Sequence, residues 1–256
     1  MKQITTEVDP LFFPLDTLGI QEPVPSTFSL MVGSNPHPLA VLAAGKLESY
    51  LSELITPDHN FGLNEGVSGK VIGKMFGVLV VKDQLSNYGY LQAFSGKMGG
   101  RNHHKGFVPP VFDSLAEDSF LNGGMRELGR INAELKILAP TGNESLIRQL
   151  KQQRRQHSTN LQQQLFDHYH FRNKKGEQRS LREIFSAAGY KNPPSGAGEC
   201  AGPKLLQYAF QQVSNPSPLL SSGGGSPQNQ NNGNTGIFIP AARRNVRRSW
   251  HICWRA

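Results

Sequence analysis

Apolar residues spaced three and four positions apart predict a helix early in the chain, from Pro36 to Ile55. The side chains that would share its buried face are Leu39, Leu42, Ala43, Leu47, Tyr50, Leu51 and Leu54. The helix is expected to end before Pro57, because proline cannot continue it. Residues 1–35 contain four prolines and no such spacing, which predicts an extended arm lying loosely on the surface.

A run of apolar and β-branched residues then predicts a β-hairpin. Val71–Val81 would form the first strand, KDQLSN the turn, and Tyr88–Phe94 the second strand. Gly73 and Gly77 within the first strand suggest a bulge or a close approach of another backbone. The segment GFVPPVFDSL (Gly106–Leu115) follows, and its two prolines favour a buried, extended loop.

Helical spacing dominates the second half of the chain. A helix is predicted over Arg126–Ala139, broken at Pro140-Thr141-Gly142 and resuming at Glu144. The apolar face of the resumed helix consists of Leu146, Leu150, Leu161, Leu165 and Tyr169. This face lapses around Arg154–His157, which is typical of a weak coiled coil or a solvent-bridging helix. Shorter helices are predicted over Leu181–Ala188 and Pro203–Gln212.

After Ser214 the chain becomes low in complexity, and no periodicity there predicts a folded element. The fold class expected is therefore α+β. A small antiparallel sheet centred on the hairpin packs against helices, and a mostly helical second half and a disordered C-terminal tail follow. The predicted divisions are an arm at 1–35, an α+β domain at 36–125, a helical region at 126–216, and the tail at 217–256.

Charge suggests an anionic partner, but its distribution weakens that interpretation. The net charge is +8 and the sequence pI about 9.6. The tail holds five of the 27 Lys and Arg residues and no acid. The rest of the chain therefore has 22 basic and 19 acidic residues, a net charge of only +3. Two cysteines predict a reducing, cytoplasmic setting. Neither a membrane span nor a signal peptide is expected, because no long apolar run and no basic leader occurs.

Two groups of residues raise catalytic or metal-binding hypotheses. The loop SGAGEC (Ser195–Cys200) precedes a predicted helix. It could offer backbone amides to a phosphate, or Ser195 or Cys200 as a nucleophile. Its glycine spacing matches no phosphate-binding motif, which favours a structural turn with Pro203 at the first helical position. His59, His103 and His104 raise a metal-site hypothesis, but no Cys or acidic ligand stands at usable spacing, so solvated loop histidines are favoured over a metal site.

The stretch Arg148–Arg182 is rich in Lys and Arg, interleaved with Tyr169 and Phe171. This pattern is typical of a surface that contacts phosphates, and a solvated helical face explains it about as well. The residues predicted to bind RNA are Arg148, Lys151, Arg154, Arg155, Arg172, Lys174 and Lys175.

Several segments, in order, resemble the long N-terminal region found ahead of the catalytic domain in a bacterial branch of RluA-like RNA pseudouridine synthases. They are PHPLAVLAA (Pro36–Ala44), HNFG (His59–Gly62), IGKMFGVLVV (Ile72–Val81), GYLQAFSGK (Gly89–Lys97), GFVPPVFD (Gly106–Asp113), LQQQLFDHYHF (Leu161–Phe171) and PPSGAGECAGPKLLQYAF (Pro193–Phe210). The resemblance covers most of residues 30–216. It implies an enzyme that isomerises uridine to pseudouridine in ribosomal or transfer RNA, with no cofactor and no metal.

The sequence departs from that family in two places. The charged coiled coil that the family carries after GFVPPVFD is here reduced to a brief linker around Leu138–Leu150. The family's HRLD motif, which supplies the catalytic Asp, is absent, because none of the seven aspartates follows Arg-Leu. We therefore expect no catalytic residue in this chain. The abrupt change in composition predicts a frameshift near residues 216–222, with an out-of-frame tail after it.

Three alternatives stay open. The chain could be a stand-alone module that binds RNA or the ribosome without catalysis. It could be an unrelated enzyme that uses Cys200 or the glycine-rich loop. It could also be an unstable product with no activity. The sequence does not indicate an oligomeric state.

Overall fold

The structure, a computed structural model, describes residues 9–23, 29–30, 37–53, 59–60, 70–71, 74–83, 85–173, 175–214 and 235–240. The chain forms two compact units. The first comprises Met1–Pro110, Arg172–Glu177 and Glu199–Ile252, and the second Val111–Phe171, Gln178–Gly198 and Cys253–Ala256. The fold class is α+β, as predicted.

The described strands, in chain order, are β1 (Phe13–Pro14), β2 (Ser29–Leu30), β3 (His59–Asn60), β4 (Lys70–Val71), β5 (Met75–Lys82), β6 (Tyr88–Phe94), β7 (His170–Arg172), β8 (Gln178–Ser180) and β9 (Thr235–Pro240). The described helices are α1 (Pro38–Glu53), α2 (Phe120–Leu138), α3 (Glu144–His168), α4 (Leu181–Ala187) and α5 (Ala201–Ser214). Short 3₁₀ turns occupy Ala139–Thr141 and Ala197–Glu199. β3 pairs with β4, and β7 with β8, as separate two-stranded sheets.

The first unit is built on a five-stranded sheet in the order β1-β6-β5-β9-β2. The predicted hairpin is confirmed as β5 and β6, which pair antiparallel from Phe76↔Phe94 to Lys82↔Tyr88. Gly77 pairs with Ala93 within this unbroken register, so the bulge suggested at Gly77 is absent from the described strand. Gly73 lies outside the described residues.

Helices cover both faces of the β5–β6 hairpin. The predicted helix at the start of the chain is confirmed as α1, and its buried face packs against one face of the strands, including Phe76 and Val78. On the other face, α5 packs through Leu205 and Ala209 against Leu79. Successive strand residues point to opposite faces. Because each face meets a helix, β5 is apolar at nearly every position instead of alternating.

Residues near the start of the described chain are packed, contrary to the expectation of a loosely draped arm. The ring of Phe13 stacks on Tyr90 with centroids 5.3 Å apart. Leu15 is buried, and its N–H donates to the carbonyl of Tyr88 at 2.9 Å. A side chain at Gly89 would place Cβ 2.2 Å from the ring of Phe12, so this close approach requires glycine. The arm therefore contributes to the core of the first unit.

The second unit is mainly an antiparallel pair of helices, α2 and α3. Both helices are N-capped: the Ser119 hydroxyl accepts from the N–H of Leu121, and the Asn143 side chain accepts from that of Leu146. The predicted break between them is confirmed as the 3₁₀ turn and Gly142, whose φ is 71°. The apolar face of α3 lapses as predicted, with Arg154 and Arg155 exposed between buried Leu150 and Leu161.

Part of the tail forms a strand, where no folded element was expected. β9 pairs antiparallel with β5, from Met75↔Pro240 to Val80↔Thr235, and parallel with β2. The sequence TGIFIP supplies β-branched and aromatic residues, and the edge of β5 offers backbone groups that need partners. The expectation of a disordered tail is therefore wrong for these six residues. The rest of 217–256 lies outside the described residues.

Candidate nucleic-acid interface

A groove of about 640 Å³ lies between α2 and α3. Its lining consists of Leu128, Asn132, Lys151, Arg154, Arg155, Ser158 and Thr159. Among the described residues that line it, three are cationic and none is acidic or aromatic. The groove therefore has a net positive charge, which suits an anionic ligand.

Helical spacing explains why α3 carries most of these residues. Lys151, Arg154, Arg155, Ser158 and Thr159 stand at positions i, i+3, i+4, i+7 and i+8, which share one face of an α-helix. This is the spacing that usually builds an apolar face, here occupied by polar residues. These residues form a polar stripe along the groove. It lies on the part of α3 where the apolar face is interrupted, between buried Leu150 and Leu161.

Two hydrogen bonds between the helices hold this region in place. Arg154 Nη1 donates to Asn132 Oδ1 at 3.2 Å, and His157 Nε2 donates to the carbonyl of Gly124 at 3.1 Å. A guanidinium has five N–H donors, and the bond to Asn132 uses one. Arg154 is thereby oriented by α2 without its charge being neutralised.

The carboxylates of α2 are engaged by a cation on their own helix. Arg130 forms ion pairs with both Glu127 and Glu134, and its Nη2 lies 2.7 Å from Glu127 Oε1. The hydrogen bond from Arg130 lowers the pKa of Glu127, and the same bond raises the pKa of Arg130. Neither acid lines the groove, and one of their two negative charges is balanced by Arg130.

Three of the seven residues predicted to bind RNA come together in this groove, namely Lys151, Arg154 and Arg155. Arg148 is exposed on α3 but does not line it. The other three are Arg172, Lys174 and Lys175. Arg172 is half-buried, and its backbone N–H donates to Gln207 Oε1 at 2.7 Å. Lys175 is exposed, and Lys174 lies outside the described residues.

Sequence reasoning missed the neutral members of the lining, Asn132, Ser158 and Thr159. The spacing of the two hydroxyl residues from Lys151 could have revealed them, because it extends the same helical stripe. Asn132 carried no comparable signal, since its role depends on how α2 pairs with α3.

The SGAGEC loop is a structural turn in its central part. A side chain at Gly198 would place Cβ 2.5 Å from the ring of Tyr169, so glycine is required at this position. The helix after the loop begins at Ala201, so the expectation of Pro203 at its first position is wrong by two residues. Proline is still tolerated there, because the first N–H groups of a helix have no acceptor within it. Cys200 is half-buried just before α5.

Lys204, which drew no attention in the sequence, is 3% exposed within the first unit. Its Nζ donates to the carbonyls of Phe94 at 3.0 Å and Gly96 at 3.1 Å, and lies 4.8 Å from the centre of the Phe94 ring. Burial lowers the pKa of Lys204 to about 8, against the attraction of Glu199, which raises it. Burial also lowers the pKa of nearby Lys74. Because both acceptors are main-chain carbonyls, the side chain of Lys204 links α5 to the end of β6 through hydrogen bonds.

Of the three histidines considered for a metal site, His103 and His104 have described side chains, and that of His59 lies outside the described part. His104 Nε2 lies 2.7 Å from the carbonyl of Met98, and its ring meets Phe94 edge-on at 5.3 Å. His103 is exposed. The part of the chain that the structure describes contains no group of three His, Cys, Asp or Glu side chains able to hold a metal ion.

Of the helices whose residues are described, none combines the length and apolar character needed to cross a membrane. Comparison of the chain with known protein families, with curated proteins and with solved structures gives no match.

Proposed function

We propose that this chain is the RNA-binding accessory region of an RluA-like pseudouridine synthase, and that it performs no isomerisation by itself. The order of the family-like segments supports the first part. The absence of an Asp after Arg-Leu in the sequence supports the second. The observation that carries RNA binding is the groove between α2 and α3, where three cations meet with no acid in the described lining.

The physical case for RNA rests on how proteins hold nucleic acids. Lys and Arg that neutralise phosphates release condensed counterions, and this release supplies most of the sequence-independent affinity. Hydroxyl and amide side chains add hydrogen bonds to phosphate oxygens. The groove presents all three kinds of group. The proposed partner is ribosomal or transfer RNA, with no cofactor and no metal, and the proposed location is the cytoplasm.

Filter binding of the full chain to ribosomal and transfer RNA across a salt series tests the proposal. We expect binding at 50 mM salt that weakens roughly 10- to 100-fold at 200 mM, since a few phosphate contacts are involved. Because the tail also contains arginines, a control variant replaces Arg243, Arg244, Arg247 and Arg248 with Gln. This variant should retain binding. Failure of the unmodified chain to bind either RNA at low salt would remove the proposal.

A second assay addresses the chemistry. The chain is incubated with unmodified ribosomal and transfer RNA, and pseudouridine is measured after digestion to nucleosides. We expect none above background, because the chain contains no HRLD motif. Formation of pseudouridine would refute the view that the chain is inactive alone.

A further inference from the structure

The groove between α2 and α3 has features that distinguish among modes of RNA recognition. Single-stranded RNA is usually held by aromatic side chains on which bases stack. Among the described lining residues none is aromatic, and Leu128 is the one apolar side chain. The remaining members are cations, hydroxyls and an amide, the groups that contact phosphate and sugar. The lining is therefore suited to contact the sugar-phosphate backbone of a nucleic acid and not its bases.

The length of the polar stripe on α3 limits how many phosphates of a nucleic-acid strand it can contact. Lys151 and Thr159 are eight residues apart, which is about 12 Å along an α-helix at 1.5 Å per residue. Each strand of a duplex carries one phosphate per 3.4 Å of axis, so about three phosphates occupy that length. Three cations lie in the first half of this stripe, from Lys151 to Arg155, and the hydroxyls of Ser158 and Thr159 follow in the second half. The number of cations therefore matches the charge of the backbone segment.

We infer that the α2–α3 groove binds about three consecutive phosphates of one nucleic-acid strand and reads no base. This inference rests on the proposed function and specifies its ligand, a phosphodiester backbone in a base-paired stem. Lys151, Arg154 and Arg155 each neutralise a phosphate. Asn132 orients Arg154, and Ser158 and Thr159 donate to phosphate oxygens. Binding at this site is consequently independent of sequence.

The test measures affinity by fluorescence anisotropy for two RNA hairpins with permuted stems and for a DNA hairpin of the same stem. The full chain should bind both RNAs within twofold and the DNA within about tenfold. The variant Lys151→Gln/Arg154→Gln/Arg155→Gln should lose roughly 100-fold in affinity at 0.1 M salt. Its slope of log affinity against log salt should become shallower by about 2 to 3, since each contact contributes about 0.9.

A charge-matched control replaces three exposed lysines outside the groove, Lys46, Lys136 and Lys191, with Gln. It should bind RNA within threefold of the unmodified chain. Should the triple groove variant fold poorly, Lys151→Gln alone suffices, with an expected change in slope of about 0.9. Polyglutamate of equal charge should compete weakly, because carboxylates along a peptide do not match the phosphate spacing.

The outcomes separate this inference from the proposed function. If the full chain binds RNA but the groove variants bind equally well, the groove is not the site and the proposed function stands. A tenfold preference for one stem sequence, failure to bind the DNA hairpin, or polyglutamate binding as tight as RNA binding would each overturn the phosphate-only mode. No binding of any nucleic acid by the unmodified chain refutes the proposed function itself.

Discussion

The ammonium group of Lys204 is buried within the first unit. Its surroundings affect how the free energy of unfolding depends on pH. The charged form is stabilised by two carbonyl acceptors and the face of Phe94. Burial acts in the opposite direction and is the larger effect, since the pKa falls from 10.5 to about 8. Lys74, Glu199 and Cys200 are the charged or titratable neighbours that also affect it.

We expect the free energy of unfolding to rise as pH increases from 8 to 9.5. Over this range the folded chain progressively loses the proton of Lys204 while the unfolded chain still binds it, so unfolding takes up a growing fraction of a proton. The gain from this residue should be about 2 kcal/mol, since one pKa unit corresponds to about 1.4 kcal/mol. Urea unfolding of the chain and of Lys204→Met at several pH values measures the difference.

The comparison with Lys204→Met isolates one titration from the others. Lys46→Met on the exposed side of α1 provides the control and should keep the pH dependence. A Lys204→Met variant whose stability rises with pH as steeply as that of the unmodified chain would show that another group is responsible.

Sequence alone could not identify Lys204 or Asn132 as special. Lys204 lies in a helical stretch where lysine is ordinary, and its burial depends on carbonyls more than 100 residues away in the chain. Lys151, Arg154 and Arg155 were accessible to prediction, because charge and helical spacing are local properties. Local pattern thus yielded the cations of the groove but not the residue that orients one of them.

Between elements, the close contact of α2 with α3 depends on a glycine. Gly124 is buried, and a Cβ there would lie 2.2 Å from Leu161 Cδ2 and 2.9 Å from its Cγ. The neighbouring Gly123 is exposed, and its Cβ would meet only the end of Arg126, at 3.9 Å. The two adjacent glycines therefore differ in packing while sharing the same helix.

We expect Gly124→Ala to destabilise the chain by about 1–3 kcal/mol, the usual result of overpacking a contact. Gly123→Ala should stabilise it by up to about 1 kcal/mol, because alanine favours helix over glycine. Urea unfolding followed by circular dichroism measures both. Equal effects of the two substitutions would show that Leu161 moves aside without penalty.

The presence of the helices was predicted more accurately than the residues at which they begin and end. α2 begins at Phe120, six residues before the predicted start, because Ser119 caps it and the two glycines conceal the helical spacing. α1 and α5 lie within two residues of their predicted ends, since their apolar positions recur with little interruption. Caps and glycines thus account for the discrepancy in the second unit.

For the whole molecule, the least expected feature is the position of β9. It lies between β5 and β2 and pairs with β5 at six residues. β9 spans only six residues within a low-complexity tail, too few for a clear alternation, and its partner strand β5 is far away in the sequence, so local pattern did not predict the pairing. The assignment of the tail to out-of-frame sequence stays a prediction, and the contribution of β9 to stability bears on it.

Deletion of residues 215–256 should lower the unfolding temperature by at least about 4 °C and promote self-association. It exposes the backbone groups of β5 that β9 satisfies, and free apolar edges pair with other chains. Deletion of 241–256, which retains β9, is the matched control and should change neither property. Differential scanning calorimetry and analytical ultracentrifugation measure the two effects. An unchanged unfolding temperature and sedimentation profile after the longer deletion would show that β9 adds nothing to the sheet.

The position of β9 also means that β5 is synthesised well before the strand that pairs with one of its edges. β5 ends at residue 82 and β9 begins at residue 235, about 150 residues later. At roughly 5–20 residues per second, the ribosome needs roughly 8–30 s to add them. During that interval the nascent chain presents one side of a strand rich in valine and leucine with no partner. We therefore expect this edge of β5 to be open to pairing with other chains until β9 has been synthesised.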